Sequence, residues 1–157
     1  MKESSLLALV ACALTAGTLC AAPPEPGFRA GAAVSNITPP LGRPIIGNFI
    51  APLSTNVHDE LHARCLVLDD GKTRLALVVL DLLGTDAGMC AEARSLIEKQ
   101  VEIPSANVLI SAVHTHSASS VSGQAPAADQ PPYADYRAFV VQRIVDENDD
   151  VTLVSSY

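Results

Sequence analysis

Two hydrophobic periods alternate along this chain and lay out its elements. Residues 28–34, 61–68 and 75–80 are short, largely apolar runs bounded by turn residues and read as strands. Asn36-Ile-Thr-Pro-Pro40 stops the first, because proline cannot donate to a strand ladder. Asp69-Asp70-Gly71-Lys72 joins the second to the third, and Asp-Gly between apolar runs predicts a hairpin. The third run, Leu75-Ala-Leu-Val-Val-Leu80, is apolar throughout, which predicts burial on both faces in the centre of a sheet. The period then changes. Over residues 86–101, Met89, Ala93, Leu96, Ile97 and Val101 recur at helical spacing behind Asp86, a capping residue. Pro104 and Asn107 end that helix, and Val108 to Val113 begins another strand. Residues 117–132 form a Ser/Ala/Gly/Pro-rich loop, residues 133–145 a second helix, and Asp146-Glu-Asn-Asp-Asp150 reads as a solvated turn. The expected fold class is α/β: a mixed β-sheet with an antiparallel hairpin and flanking helices, part of a larger domain. The strand after the helix should run parallel to one before it.

The beginning of the chain follows different rules. Lys2 precedes an uncharged apolar run over residues 6–19, then Cys20-Ala21-Ala22 and a Pro-rich stretch. That is a signal-peptide pattern, too short for a comfortable membrane span, and it predicts cleavage near residue 22 and export. No later run is long enough to cross a bilayer, and the remainder suffices for one domain with its own core. A net charge of −7 without a Lys/Arg cluster excludes a nucleic-acid partner. Cys65 and Cys90 lack metal-site spacing and are expected as two buried free thiols.

The chemistry concentrates where the fourth strand ends. Asn107-Val-Leu-Ile-Ser-Ala-Val-His114-Thr-His116-Ser117 carries His-x-His at the mouth of a buried run. Continued as a strand, positions i and i+2 face one side, about 6–7 Å apart. A strand end fixes ligands while the loop leaves room for substrate. Imidazole suits zinc, copper, iron and nickel alike, so the pair alone names no metal, and it supplies at most two ligands. Its bland alternative is one imidazole bonded to a backbone carbonyl and the other in water. Asp81 ends the third strand, where it reads equally as a partner orienting an imidazole or as a turn carboxylate. His58 and His62 read as surface or hairpin residues.

Several segments in order resemble the N-terminal domain of the neutral/alkaline, non-lysosomal ceramidase family. Ser35-Asn-Ile-Thr-Pro-Pro40 resembles its early Ile-Thr-Pro-Pro turn, and Gly47-Asn-Phe49 stands where it has a Gly-Tyr segment. Val57-His-Asp-Glu-Leu-His-Ala-Arg64 is similar to its charged entry into a strand. Val79-Leu-Asp-Leu-Leu-Gly84 and Asn107 to Ser117 look like its two site-forming strand ends. The resemblance implies a zinc amidase that cleaves the N-acyl bond of ceramide or a related lipid amide. It makes His114 the zinc ligand and places His116 where it can hydrogen-bond substrate or the developing oxyanion. Two departures accompany it. Ala118-Ser119-Ser120 replaces the family's Gly and Pro, and the family's later ligands, a second His, a Glu and a Tyr, have no counterpart here. The zinc site is therefore expected to be weak or incomplete. The expected organisation is a signal peptide over residues 1–22, a Pro/Gly-rich segment with a short strand over 23–60, a partial ceramidase-like domain over 28–146 and a divergent tail over 147–157, as in a truncated gene product. The competing functional readings are a catalytically inactive exported α/β domain and another His-x-His metallohydrolase.

Overall fold

The structure is a computed structural model that describes residues 27–121, 133–149 and 151–155. The expected signal peptide and the loop over 122–132 lie outside the described residues. Strand β1 (Arg29–Asn36) is followed by β2 (His62–Asp69) and β3 (Arg74–Leu80). Helix α1 (Ala87–Gln100), a short 3-10 turn (Ser105–Asn107), β4 (Val108–Ala112), helix α2 (Tyr133–Asp149) and β5 (Val154–Ser155) complete the order. The sheet order is β4-β3-β2-β1-β5, with β3 and β4 parallel and the other pairs antiparallel. The α/β fold with a mixed sheet, a β2–β3 hairpin and flanking helices matches the sequence reading.

Local chemistry accounts for the joints. At the hairpin, Gly71 takes φ +82°, and the Asp70 carboxylate accepts from the Lys72 and Thr73 N–H groups. Buried Asp69 accepts from the Gly71 N–H and pairs with Arg29 and Arg74. Those partners hold its carboxyl below the usual range, led by the Gly71 N–H. At the start of α1, Asp86 caps the helix by accepting from the Met89 N–H at 2.8 Å. Its second oxygen takes Arg137 of α2 at 2.9 Å, so one carboxylate fixes a helix start and ties the two helices together.

Both helices cover one face of the sheet. Met89, Cys90, Ala93 and Ile97 of α1, with Tyr136, Val140, Val141, Ile144 and Val145 of α2, pack on Cys65, Val67, Ala76, Val78, Leu80 and Ile110. Cys65 and Cys90 are buried free thiols, as expected. Among the described residues, no helix covers the other face. The register aligns Ala32, Leu66, Leu77 and Leu109 across four strands, and Leu109 is 56% exposed. Leu75 and Val79 of β3 are exposed on that face too. The expectation of burial on both faces of β3 is therefore corrected: helices lie on one side only, and an apolar run does not reveal how many layers cover it.

The end of α2 is a second correction. The acidic run is no solvated turn: α2 continues to Asp149, with Glu147 and Asn148 buried at 1% and 2% exposure. Ile144 and Val145 hold that turn on the sheet and carry the polar residues after them inward. Asn148 donates to the Ile144 carbonyl and accepts from the Cys65 thiol. Beyond it, Val154–Ser155 adds to the β1 edge opposite Arg29 and Ala30. Among the described residues, no helix is long and apolar enough to cross a membrane.

Candidate functional site

Parallel β3 and β4 end on the same sheet edge, and the site is built there. After β3 the chain turns through Asp81, Leu82 and Leu83, and the segment leaving β4 is laced to that turn. The Val113 N–H donates to the Leu80 carbonyl at 3.0 Å and the Thr115 N–H to the Leu82 carbonyl at 3.2 Å. Between them His114 sits at φ +64°, the left-handed region that a β-carbon disfavours. The strand itself stops at Ala112.

This bend, rather than strand pleating, brings the imidazoles together. The His114 and His116 ring centroids are 5.1 Å apart and nearly perpendicular, and the two Nε2 atoms are 3.5 Å apart. Both side chains are exposed. His114 Nδ1 lies 2.8 Å from the Leu83 carbonyl. A carbonyl only accepts, so Nδ1 carries the proton and the Nε2 lone pair is left facing His116. The acceptor that sets this tautomer is backbone, and no sequence motif marks it.

Asp81 is placed differently. Its carboxylate accepts from Arg64 at 2.7 Å and from the His62 N–H at 2.9 Å, with the His62 ring at 4.0 Å. Burial alone would raise its pKa, but Arg64 and the His62 N–H hold it below the usual carboxylate range. Asp81 and Arg64 line a cavity of about 770 Å³, together with Thr38, Leu61, Val113 and Thr115. Val113, Thr115 and Ser117 face this cavity, while His114 and His116 are not in its lining. The 113–117 segment therefore has two working sides, imidazoles on one and the cavity on the other. His58 is exposed and bonded to Asp59, which raises its pKa.

An arm over residues 42–54 closes the edge. Hydrogen bonds from the Gly42 N–H to Ser54 O and from the Ile45 N–H to Pro52 O, each 2.8 Å, hold its two sides together. The Ile46 N–H donates to the Ala118 carbonyl, and the Ser119 hydroxyl donates to the Pro44 carbonyl. Gly47 has φ +103°, and a β-carbon there would lie 2.8 Å from two ring atoms of His116. Glycine is required twice over, for its backbone and for the ring resting on it. Buried Tyr136 braces the arm from α2: its hydroxyl donates to the Ile37 carbonyl at 2.7 Å, and Arg43 lies over its ring. Tyr136 had no site role in the sequence reading, and Gly47 entered it only within the Gly/Pro-rich loop over residues 41–55 and the Gly47-Asn-Phe49 resemblance. The isolated glycine among polar and apolar residues was the available signal for Gly47.

Solved structures carry the same fold. The chain matches a neutral ceramidase from Pseudomonas aeruginosa with TM-score 0.57 and 20% identity, over 77% of this chain and 21% of that one. It matches a structure described as ceramidase complexed with C2 with TM-score 0.59 and 18% identity, over 77% and 20%. This chain has the fold of those ceramidases over the matched stretch. It spans about a fifth of their length. No protein-family model and no curated protein sequence matches it.

The donor set can be tested against the zinc that the family resemblance implies. Two ligands at about 2.0–2.1 Å from a tetrahedral zinc lie roughly 3.4 Å apart. The 3.5 Å between the two Nε2 atoms fits two such ligands, with the His114 lone pair already freed. A full set is not present: among the described residues no group of three or more His, Cys, Asp or Glu side chains converges.

Proposed function

We propose that this chain carries the opening part of a zinc-dependent amidase site that acts on ceramide or a related lipid amide. The observation that carries this reading is the pair of converging Nε2 atoms, beside the strand ends of a fold matched in ceramidases. His114 is the metal ligand, its ring fixed by the Leu83 carbonyl. His116 rests on Gly47 and presents its Nε2 to the same space, where it hydrogen-bonds substrate or the oxyanion that forms. Asp81 is a positioning residue that holds Arg64 in the cavity lining. When bound, zinc would supply a water of lowered pKa and polarise the amide carbonyl. With His114 as the one assigned ligand, and at most His116 beside it when no substrate is bound, zinc is held less firmly than by the three protein ligands of a catalytic site, so retention through dialysis should be poor. Residues 1–22 act as a signal peptide that directs export, and residues 28–146 form the ceramidase-like part.

The test is hydrolysis of a fluorescent ceramide by the purified chain, with zinc content measured alongside. Turnover lost on chelation and in His114→Ala supports the site. A His114→Ala chain that cleaves as fast as the parent refutes it. A second reading, an exported α/β domain without activity, is favoured by the lack of a third convergent ligand among the described residues. No turnover, even with zinc in excess, would select it.

A further inference from the structure

The 42–54 arm has a tip that the site chemistry leaves unused. Its base is pinned to Ala118 and Ser119, yet Phe49 and Ile50 project from it with 110% and 80% exposure. Leu41, Leu53 and Val57, in the same segment, are 54%, 53% and 46% exposed. Scattered exposed aliphatics are ordinary. Two adjacent large apolar side chains standing free at the end of a braced arm form a contiguous apolar tip, the kind of exposed patch that marks an interaction site.

Charge narrows what the tip can meet. The chain carries −7 overall, but residues 41–57 contain no Asp or Glu and one cation, Arg43. An anionic lipid surface is therefore not repelled there, as it would be by the acidic remainder, and a neutral one is met by an apolar tip with a single nearby cation. Position supplies the rest. Gly47, two residues before Phe49, underlies the His116 ring. A surface that takes up Phe49 therefore comes within two residues of chain, at most about 7 Å, of the glycine on which the His116 ring rests.

We propose that Phe49 and Ile50 insert into the interfacial region of a lipid bilayer and hold the histidine edge against the membrane. This rests on the lipid-amide reading above, since such a substrate resides in the bilayer and must be drawn from it. Apolar side chains at this depth enter the boundary between headgroups and acyl chains. The partner is the lipid surface itself; a protein segment covering the same side chains is the alternative that the test detects.

The sequence has no tryptophan, so Phe49→Trp introduces a single indole. Its emission is recorded with the full chain alone, with phosphatidylcholine vesicles, and with vesicles of brominated phosphatidylcholine, a contact quencher. Because the apolar run at residues 6–19 can itself bring the chain to vesicles, the readout must be local to the arm. Phe139→Trp, on α2, serves as the control. The expected result is water-like emission without lipid, a blue shift on adding vesicles, and loss of intensity with the brominated lipid, none of it in the control. The proposal is overturned if the arm indole stays water-like on vesicles. It is equally overturned if emission is blue-shifted before lipid is added, because protein then covers the tip. Failure of the amidase reading looks different. Quenching in a chain that cleaves no ceramide rejects the activity and keeps the docking surface, whereas cleavage with an unquenched indole does the reverse.

Discussion

Glu147 should make the stability of this protein fall as pH rises through neutrality. Its side chain is 1% exposed, and neither carboxylate oxygen has a hydrogen-bond partner. Burial pushes its pKa up to about 7 from 4.5, while the Cys65 N–H and the Arg64 charge oppose the shift without closing a hydrogen bond on either oxygen. The Cys65 thiol beside it is pushed up to about 12, by burial first and then by Glu147. The folded-state pKa lies above the unfolded one. The protonated acid therefore contributes stability that is fully present below about 4.5 and is lost as pH rises to about 7. Raising this carboxyl from 4.5 to about 7 corresponds to roughly 3 kcal/mol, a large share of a small domain's stability. Glu147→Gln keeps the shape and removes the titration. Urea unfolding at pH 5 and pH 8 should show the parent losing a few kcal/mol between them relative to the variant. At pH 8 the variant should be the more stable by roughly 3 kcal/mol. Groups common to both proteins cancel in the difference. A parent and variant that track each other across this window would mean that the carboxylate is solvated or paired, and the account of the α2 end would be wrong.

Other consequences are simpler to read. Gly47→Ala should cost about 1–3 kcal/mol in thermal unfolding from the positive φ alone, and should disturb the His116 ring resonances in NMR spectra; an unperturbed ring would contradict the packing. Asp86→Ala removes the α1 cap and the anchor for Arg137, with an expected loss of about 1–2 kcal/mol by chemical denaturation. The uncovered leucine row should bind an apolar dye or promote self-association. Leu66→Lys, at its centre, should reduce either signal, as read by dye fluorescence and sedimentation, while leaving the helix-covered core intact.

The strands, the hairpin and the first helix were legible because each is specified by its own residues. Period 2 gives way to period 3.6, Asp-Gly marks the turn, and Asp86 caps the helix. The layer count was not legible. Leu75-Ala-Leu-Val-Val-Leu80 has the composition of a doubly covered strand, yet Leu75 and Val79 are exposed. What covers a strand is decided by distant chain, and a local run carries no record of it. The acidic run failed for a related reason. Five polar residues suggest water, but Val140, Val141, Ile144 and Val145 had already set the helix face that packs on the sheet. Glu147 and Asn148 follow that face inward whatever their polarity.

At the site, residue types were readable and geometry was not. His114-Thr-His116 announced two imidazoles on one side, and two converging imidazoles are present. The mechanism of convergence differs. Strand pairing would leave them about 6–7 Å apart, too far to share one ion. The left-handed turn at His114, tied by three bonds to the Leu80–Leu83 carbonyls, closes the Nε2 separation to 3.5 Å. Asp81 was read as either an imidazole's partner or a turn carboxylate. It sits with Arg64 and the His62 backbone on the cavity side, and the Leu83 carbonyl orients His114 in the position where a carboxylate often serves. This substitution has a chemical consequence. A neutral carbonyl fixes the tautomer without adding a negative charge behind the ring. On the zinc reading proposed above, an imidazole oriented in this way needs further ligands on the same ion for tight binding, and none converges with it among the described residues apart from His116.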